Sequence, residues 1–217
     1  MVRLNKYLAE KVGLSRREAD EIIEQGLVFV NDKPARLGQQ IEPSDKVVYR
    51  GVEISGAAQY IYIMVNKPEG YVCSRKRQGK APTIYEILPE EYQGLKTVGR
   101  LDKDSCGLIL MTNDGDFAFR MTHPKFRKEK VYQVKLDRAL SKKDLAKINR
   151  GVKLKDGVSR MTVERNGEYY KVTMSEGKNR QIRRTFQAVG YNVVFLKRVK
   201  FGDYKLDKLA EGKIIRI

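Results

Sequence analysis

The 217-residue sequence predicts an α+β protein, with a small N-terminal αα-β module followed by a larger mixed, mainly antiparallel-sheet domain. Three observations carry that prediction. The first 50 residues hold two short helix-period patterns and then short strands. Residues 60–217 hold many strands and few helices, and Asn166-Gly167 lies between two alternating runs, a strong hairpin signal. Between them GVEISGAAQ (51–59) is rich in small residues and reads as a linker, so the expected divisions are 1–50, 51–59 and 60–217.

Within the module, Leu4, Tyr7, Leu8 and Val12 recur at helical spacing, and the run stops at Gly13. Ser15 followed by Glu18 is a capping-box pattern for a second helix that turns Ala19, Ile22 and Ile23 inward and ends at Gly26. Leu27-Val28-Phe29-Val30 is strand-like, Asn31-Asp32 is a turn, and 45–49 is a second strand. Arg16 and Arg17 fall in the first turn of the second helix, where the helix dipole favours acids. Two cations there make sense if that helix end faces phosphate. In the larger domain, 60–65 is almost wholly apolar, a buried strand stopped by Asn66-Lys67-Pro68. Strands are expected around 131–136, 159–165 and 168–174, a helix near 179–189, and a last strand over about 192–199.

A net charge of +17 points to a nucleic acid or another acidic partner, because Lys and Arg release the counterions of phosphates. The excess is concentrated. Residues 1–17 hold Arg3, Lys6, Lys11, Arg16 and Arg17 against Glu10 alone, and residues 118–200 carry 23 basic and seven acidic groups. Cys73 and Cys106 form no C-x-x-C, which argues against a disulfide framework or a zinc site. The one histidine, His123, cannot supply a metal cluster and has no nucleophile elbow to serve. Walker and Rossmann glycine signatures are absent. No run reaches the roughly 18–20 apolar residues that span a bilayer, and the N-terminus lacks the apolar stretch of a secretion signal. The expectation is a cytoplasmic monomer without metal, membrane or small-molecule cofactor, working with carboxylate, tyrosine and arginine.

Three segments carry such groups. V-G-R-L-D-K-D-S-C-G-L (98–108) sets Asp102 and Asp104 two positions apart; on an extended strand both would face one side, so spacing does not separate them. In E-K-V-Y-Q-V-K-L (129–136), alternation puts Tyr132, Val134 and Leu136 on one strand face, which suits core filler as well as a site. E-G-K-N-R-Q-I-R-R (176–184) opens the helix. At about 100° per residue Ile182, Phe186 and Val189 form the buried stripe, Arg180, Arg184 and Gln187 face outward, and Asn179 and Arg183 lie at the border. A border arginine can pair with a carboxylate while its stem stays packed. The cations of this helix suit phosphate contact and equally a solvated face.

The module's R-L-N-K-Y-L, G-L-S-R-R-E-A and G-L-V-F-V-N-D resemble the alpha-L RNA-binding motif shared by a ribosomal small-subunit protein and several RNA-modifying enzymes. That resemblance implies RNA contact from Arg3, Lys6, Arg16 and Arg17. G-R-L-D-x-x-S-x-G-L, followed by M-T-N-D-G-D-F (111–117), resembles the catalytic signature of bacterial ribosomal-RNA pseudouridine synthases of the Rsu/Rlu type. This second resemblance implies a catalytic domain of that type, with Asp102 as the essential carboxylate. It further implies that Arg100 helps displace a flipped uridine, that Tyr132 of the K-x-Y motif stacks on the target base, and that Arg183 of Q-I-R pairs with Asp102. Further RNA contacts are expected from Lys130, Lys178, Asn179, Arg180, Gln181 and Arg184. The implied partner is ribosomal RNA, free or in an assembling subunit, the large subunit favoured over the small. The competing reading is a non-catalytic RNA-binding ribosome-assembly factor, which accounts for the charge and the module but leaves G-R-L-D and Q-I-R unexplained. A metal-dependent nuclease fits less well, since the acids lack ligand spacing.

Overall fold

A computed structural model describes residues 1–56 and 59–217; the part of the expected linker at Ala57 and Ala58 lies outside the described residues. By contacts the chain divides into two units, 1–61 with 113–115, and 62–112 with 116–217.

In the first unit, helix α1 spans Leu4–Val12 and stops where Gly13 turns left-handed (φ 81°), a conformation that costs glycine little. Helix α2 spans Arg16–Glu24 under a complete capping box. The Glu18 amide donates to Ser15 Oγ at 3.1 Å, and the Ser15 amide donates to the Glu18 carboxylate at 2.6 Å. A four-stranded sheet runs in the order Lys33–Pro34, Val28–Val30, Val47–Tyr49, Val52–Glu53. Leu4, Leu8, Ala19, Ile22, Ile23, Val28 and Val47 close its core. Each fully buried leucine there contributes about 1.5–3 kcal/mol.

The second unit is built on a sheet of nine strands. Its path runs Thr162–Asn166, Tyr169–Met174, Lys130–Leu136, Val193–Phe201, Cys106–Thr112, Tyr62–Lys67, Ile214–Arg216, with Tyr204–Lys205 and Lys96–Val98 attached at the side. The neighbours pair antiparallel except at one joint, where Val193–Phe201 runs parallel to Cys106–Thr112 with Arg198 opposite Gly107. Only glycine fits that joint. Gly107 has φ 101°, and a Cβ on it would lie 2.3 Å from the Arg198 carbonyl oxygen.

Several elements differ from the sequence expectation. Cys106–Thr112 is buried at every position, so it offers no alternation to read. Helices α3 (Gly115–Thr122) and α4 (Lys142–Arg150) were not expected; α4 starts at a Ser141 cap. Helix α5 covers Gln181–Ala188 and begins later than expected, because Arg180 adopts a left-handed conformation (φ 45°) and interrupts the turn before it. The hairpin at 166–169 forms, but Asn166 pairs with Tyr169, so its two-residue loop is Gly167-Glu168 and only Gly167 takes a positive φ.

Candidate active site

Asp102 and Asp104 lie on a turn, not on a strand: the Ser105 amide donates to the Asp102 carbonyl at 3.1 Å. The turn is gripped from two sides. Lys67, fully buried at the end of its strand, donates to the carbonyls of Pro68 and Tyr71 at 2.7 and 2.8 Å. The loop so fixed presents the Gly70 amide to the Lys103 carbonyl at 2.8 Å. Burial pushes the Lys67 ammonium below its usual range, so those two carbonyls matter for keeping it charged. From the other side, Arg183 of α5 donates to the Asp104 carbonyl and, at 2.8 Å, to the Val193 carbonyl.

The two carboxylates have different surroundings. Arg180 forks onto Asp104, with its two terminal nitrogens at 3.0 and 2.9 Å from the two oxygens. Arg183 Nε stands 3.2 Å from Asp104 Oδ2, close enough for an ion pair though not aligned as a hydrogen bond. Burial alone would raise the Asp104 carboxyl, but the Arg180 hydrogen bonds and the two guanidinium charges outweigh it and hold the group below the ordinary carboxylate range. Asp102 keeps a single long contact, 3.7 Å to Arg180. The expected Arg183–Asp102 pair is therefore corrected. Because α5 begins at Gln181, Arg180 swings out before the helix and reaches both carboxylates, while Arg183 is taken up by Asp104 and by backbone.

Around this turn lies a cavity of about 360 Å³, within the range of small-molecule sites. It is lined by Arg100, Asp102, Lys130, Tyr132, Lys178, Asn179, Arg180, Gln181 and Arg183 among the expected residues. Tyr132 is buried on its strand, and Arg100 is exposed. Lys130 Nζ sits 5.4 Å from the Phe201 ring centre; burial, and then the charge of Arg198, lower its pKa. Two expectations change. Gln181 is buried, and its amide is engaged with Ser159, Glu176 and the Lys178 backbone, so it braces the helix start and has no free group for RNA. Arg184 is not part of the cavity wall. It forks onto Asp156 at 2.8 Å through both nitrogens, and that hydrogen bonding holds the Asp156 carboxyl down at about 2. Lys178 lines the wall while donating to the Asp156 and Val158 carbonyls. Arg3, Lys6, Arg16 and Arg17 belong to the other unit. Lys6 approaches Glu10 at 3.8 Å, and Arg16 donates to Asn5 at 3.2 Å.

Sequence reasoning missed Arg198, which is 3% exposed in the cavity floor. Its Nε donates to the Leu108 carbonyl at 2.8 Å, its guanidinium lies 4.8 Å from the Phe201 ring centre, and Nη2 has no partner. The readable signal was a cation two positions after Leu196, on the inward face of its strand. Ser105 Oγ and Arg183 Nε are likewise buried without a hydrogen-bond partner, and both residues line the same cavity. Unsatisfied buried groups cost about 1–3 kcal/mol each, and a cluster of them in one cleft marks a place adapted to something other than stability. Among the described residues, no group of three His, Cys, Asp or Glu is placed to hold a metal ion, and no helix is long and apolar enough to cross a membrane.

Comparison with known proteins agrees on one family. The RNA pseudouridylate synthase family matches residues 61–188, and the S4 domain family matches residues 2–47. An uncharacterized RNA pseudouridine synthase of Aquifex aeolicus (strain VF5) is 36% identical over 215 residues, covering 97% of this chain and 90% of the relative. A ribosomal large subunit pseudouridine synthase B of Escherichia coli (strain K12) is 38% identical, covering 95% and 75%. A ribosomal small subunit pseudouridine synthase A of Pasteurella multocida (strain Pm70) is 37% identical, covering 98% and 94%. Among solved structures, one described as a pseudouridylate synthase superposes with a TM-score of 0.72 at 35% identity, covering 100% of this chain and 96% of that one.

Proposed function

Because this chain belongs to the RNA pseudouridine synthase family, and is thus an isomerase acting on RNA, we propose that it converts a specific uridine of ribosomal RNA to pseudouridine with Asp102 as the catalytic carboxylate. The observation that carries the choice of Asp102 is the asymmetry of the two acids. Both oxygens of Asp104 are hydrogen-bonded by Arg180, whereas Asp102 faces the cavity with one 3.7 Å ion pair and oxygens left to react.

The reaction breaks the bond between the sugar C1′ and uracil N1, turns the base, and joins C1′ to ring carbon C5. The C5 hydrogen leaves as a proton and N1 gains one, so atoms balance without an oxidant or a cofactor. A carboxylate serves this either by attacking C1′ or by taking a proton from C2′. Both routes need reach as well as charge, and the one ion pair of Asp102, 3.7 Å to Arg180, leaves its oxygens open toward the sugar. Tyr132 is assigned to stack on the flipped base, a contact of about 1–3 kcal/mol. Extrusion costs about a few kcal/mol, and exposed Arg100 at the rim is assigned to fill the vacated stack. Arg180 and Arg183 hold the turn. All these groups belong to one chain's cavity, which supports a monomer as the working unit, and a ribosomal RNA substrate supports a cytoplasmic site of action.

Release of tritium from uridine labelled at C5 tests the assignment. Asp102→Asn is expected to slow release by about 10²- to 10⁴-fold with RNA affinity retained. Release at the wild-type rate removes Asp102 from the role. The Q-I-R-R run favours a large-subunit target. Pseudouridine mapping in both ribosomal RNAs, from cells with and without the gene, decides between the subunits.

A further inference from the structure

The rim of the cavity carries a feature that the reaction does not use. Phe119 and Phe126 are 46% and 38% exposed, and with His123 they form a mutually touching ring cluster. The centroid separations are 4.6 Å for Phe119–His123, 5.8 Å for Phe119–Phe126 and 6.4 Å for His123–Phe126. Lys125 Nζ lies 5.3 Å from the Phe119 ring centre and 4.7 Å from that of Phe126. Single exposed apolar side chains need no explanation, but three clustered rings forgo a burial worth keeping.

The cluster is held in place by its own local structure. Pro124 opens a short 3-10 turn, the Lys125 amide donates to His123 Nδ1 at 3.2 Å, and Arg127 ends the turn in a left-handed conformation. The same segment reaches the reaction cavity, since Thr122 and Pro124 line it. Residues 117–128 also contain Arg120, Lys125, Arg127 and Lys128 and no acid.

We propose that Phe119, His123 and Phe126 form a stacking platform for unpaired bases next to the target nucleotide, with the cations of the segment tracking the adjoining phosphates. Rings set in a segment of four cations and no acid suit a strand of nucleic acid, because every base offers a π-face and every step a phosphate. Continuity with the cavity fixes which strand: the one that carries the flipped base. This inference rests on the proposed reaction for the identity of that strand.

The chain contains no tryptophan, so Phe126→Trp supplies a single reporter. Its fluorescence is expected to be quenched when unmodified 23S or 16S ribosomal RNA transcript is added, with affinity retained. The double variant Phe119→Ala/Phe126→Ala is expected to bind the same transcripts about 10- to 100-fold more weakly in filter binding. Its circular dichroism should match that of the wild type, so that the loss reads as lost stacking and not as unfolding. Absent quenching, or unchanged affinity in the double variant, overturns the platform. Unchanged affinity for naked RNA with reduced modification of assembling ribosomal particles would assign the rings to a protein partner and overturn it as well. Quenching without tritium release by the wild type leaves the platform standing and removes the proposed reaction instead.

Discussion

The two units use the same residue type in opposite ways. In the cavity, Arg183 is 14% exposed and is consumed by Asp104 and two backbone carbonyls, and Arg180 is forked onto Asp104. In the N-terminal unit, Arg3, Arg16 and Arg17 are exposed, and Arg16 rests on the neutral amide of Asn5. A guanidinium fixed by several partners in a partly dry site holds geometry and has little charge left to offer a ligand. An exposed one is screened by salt, contributes little to stability, and remains available to a phosphate. On the proposed function, the difference assigns Arg180 and Arg183 to positioning the turn and Arg3, Arg16 and Arg17 to binding RNA. Mutations in the two places should therefore move different observables.

The largest effect is expected where the frame of the cavity is tightest. Gly107→Ala forces an L-residue into φ 101° and a methyl against the Arg198 backbone. The left-handed conformation costs about 1–2 kcal/mol and the overlap about 1–3 kcal/mol more. Hydrogen exchange should show the Cys106–Thr112 amides losing protection while those of α1 and α2 keep theirs. Equal loss in both places would break the comparison, since the two units would then unfold as one.

Asp104→Asn sharpens it next. The variant keeps the shape of the turn and the two backbone hydrogen bonds of Arg183 but removes the charge that holds Arg180, so kcat is expected to fall by about 10- to 100-fold with KM nearly unchanged. A change confined to KM would make Arg180 a binding group after all. The same variant has an acid signature. The folded-state pKa of Asp104 lies below its unfolded value, so its ion pairs stabilise the fold above about pH 4, the unfolded carboxyl range. That contribution is lost as pH falls through the folded value. Denaturant midpoints should drop less steeply on the acid side in the variant than in the wild type.

How much of this was readable follows the same division. The N-terminal unit is built from contacts close in sequence, and its signals are local: Gly13 ends α1 and Ser15 with Glu18 opens α2. The G-R-L-D and Q-I-R segments were legible as motifs, but the pairing between them was not. Arg180 and Arg183 meet Asp104 across 76 and 79 residues of chain, and a left-handed φ at Arg180 decides which arginine reaches Asp102. No spacing rule encodes that rotation. Arg198 was missed because an inward cation breaks the apolar alternation by which strands are read, and Cys106–Thr112 because burial on both faces leaves no alternation. Gln181 was misjudged because an amide in a basic run suggests RNA, whereas its work is to satisfy Ser159 and Glu176 inside the fold.

The smallest effect is expected from Arg16→Gln/Arg17→Gln. Both side chains lie in the first turn of α2, where they face the positive end of the helix dipole, so their removal should leave stability unchanged or slightly raised. If they contact RNA phosphates, each contributes about one to the slope of log affinity against log salt concentration, and the double variant should flatten that slope by about two. At moderate salt KM should rise by about 3- to 10-fold while the single-turnover rate at saturating RNA holds. An unchanged slope, or a fall in that rate, would mean that these cations do not bind as free charges and that the contrast with the cavity arginines is wrong.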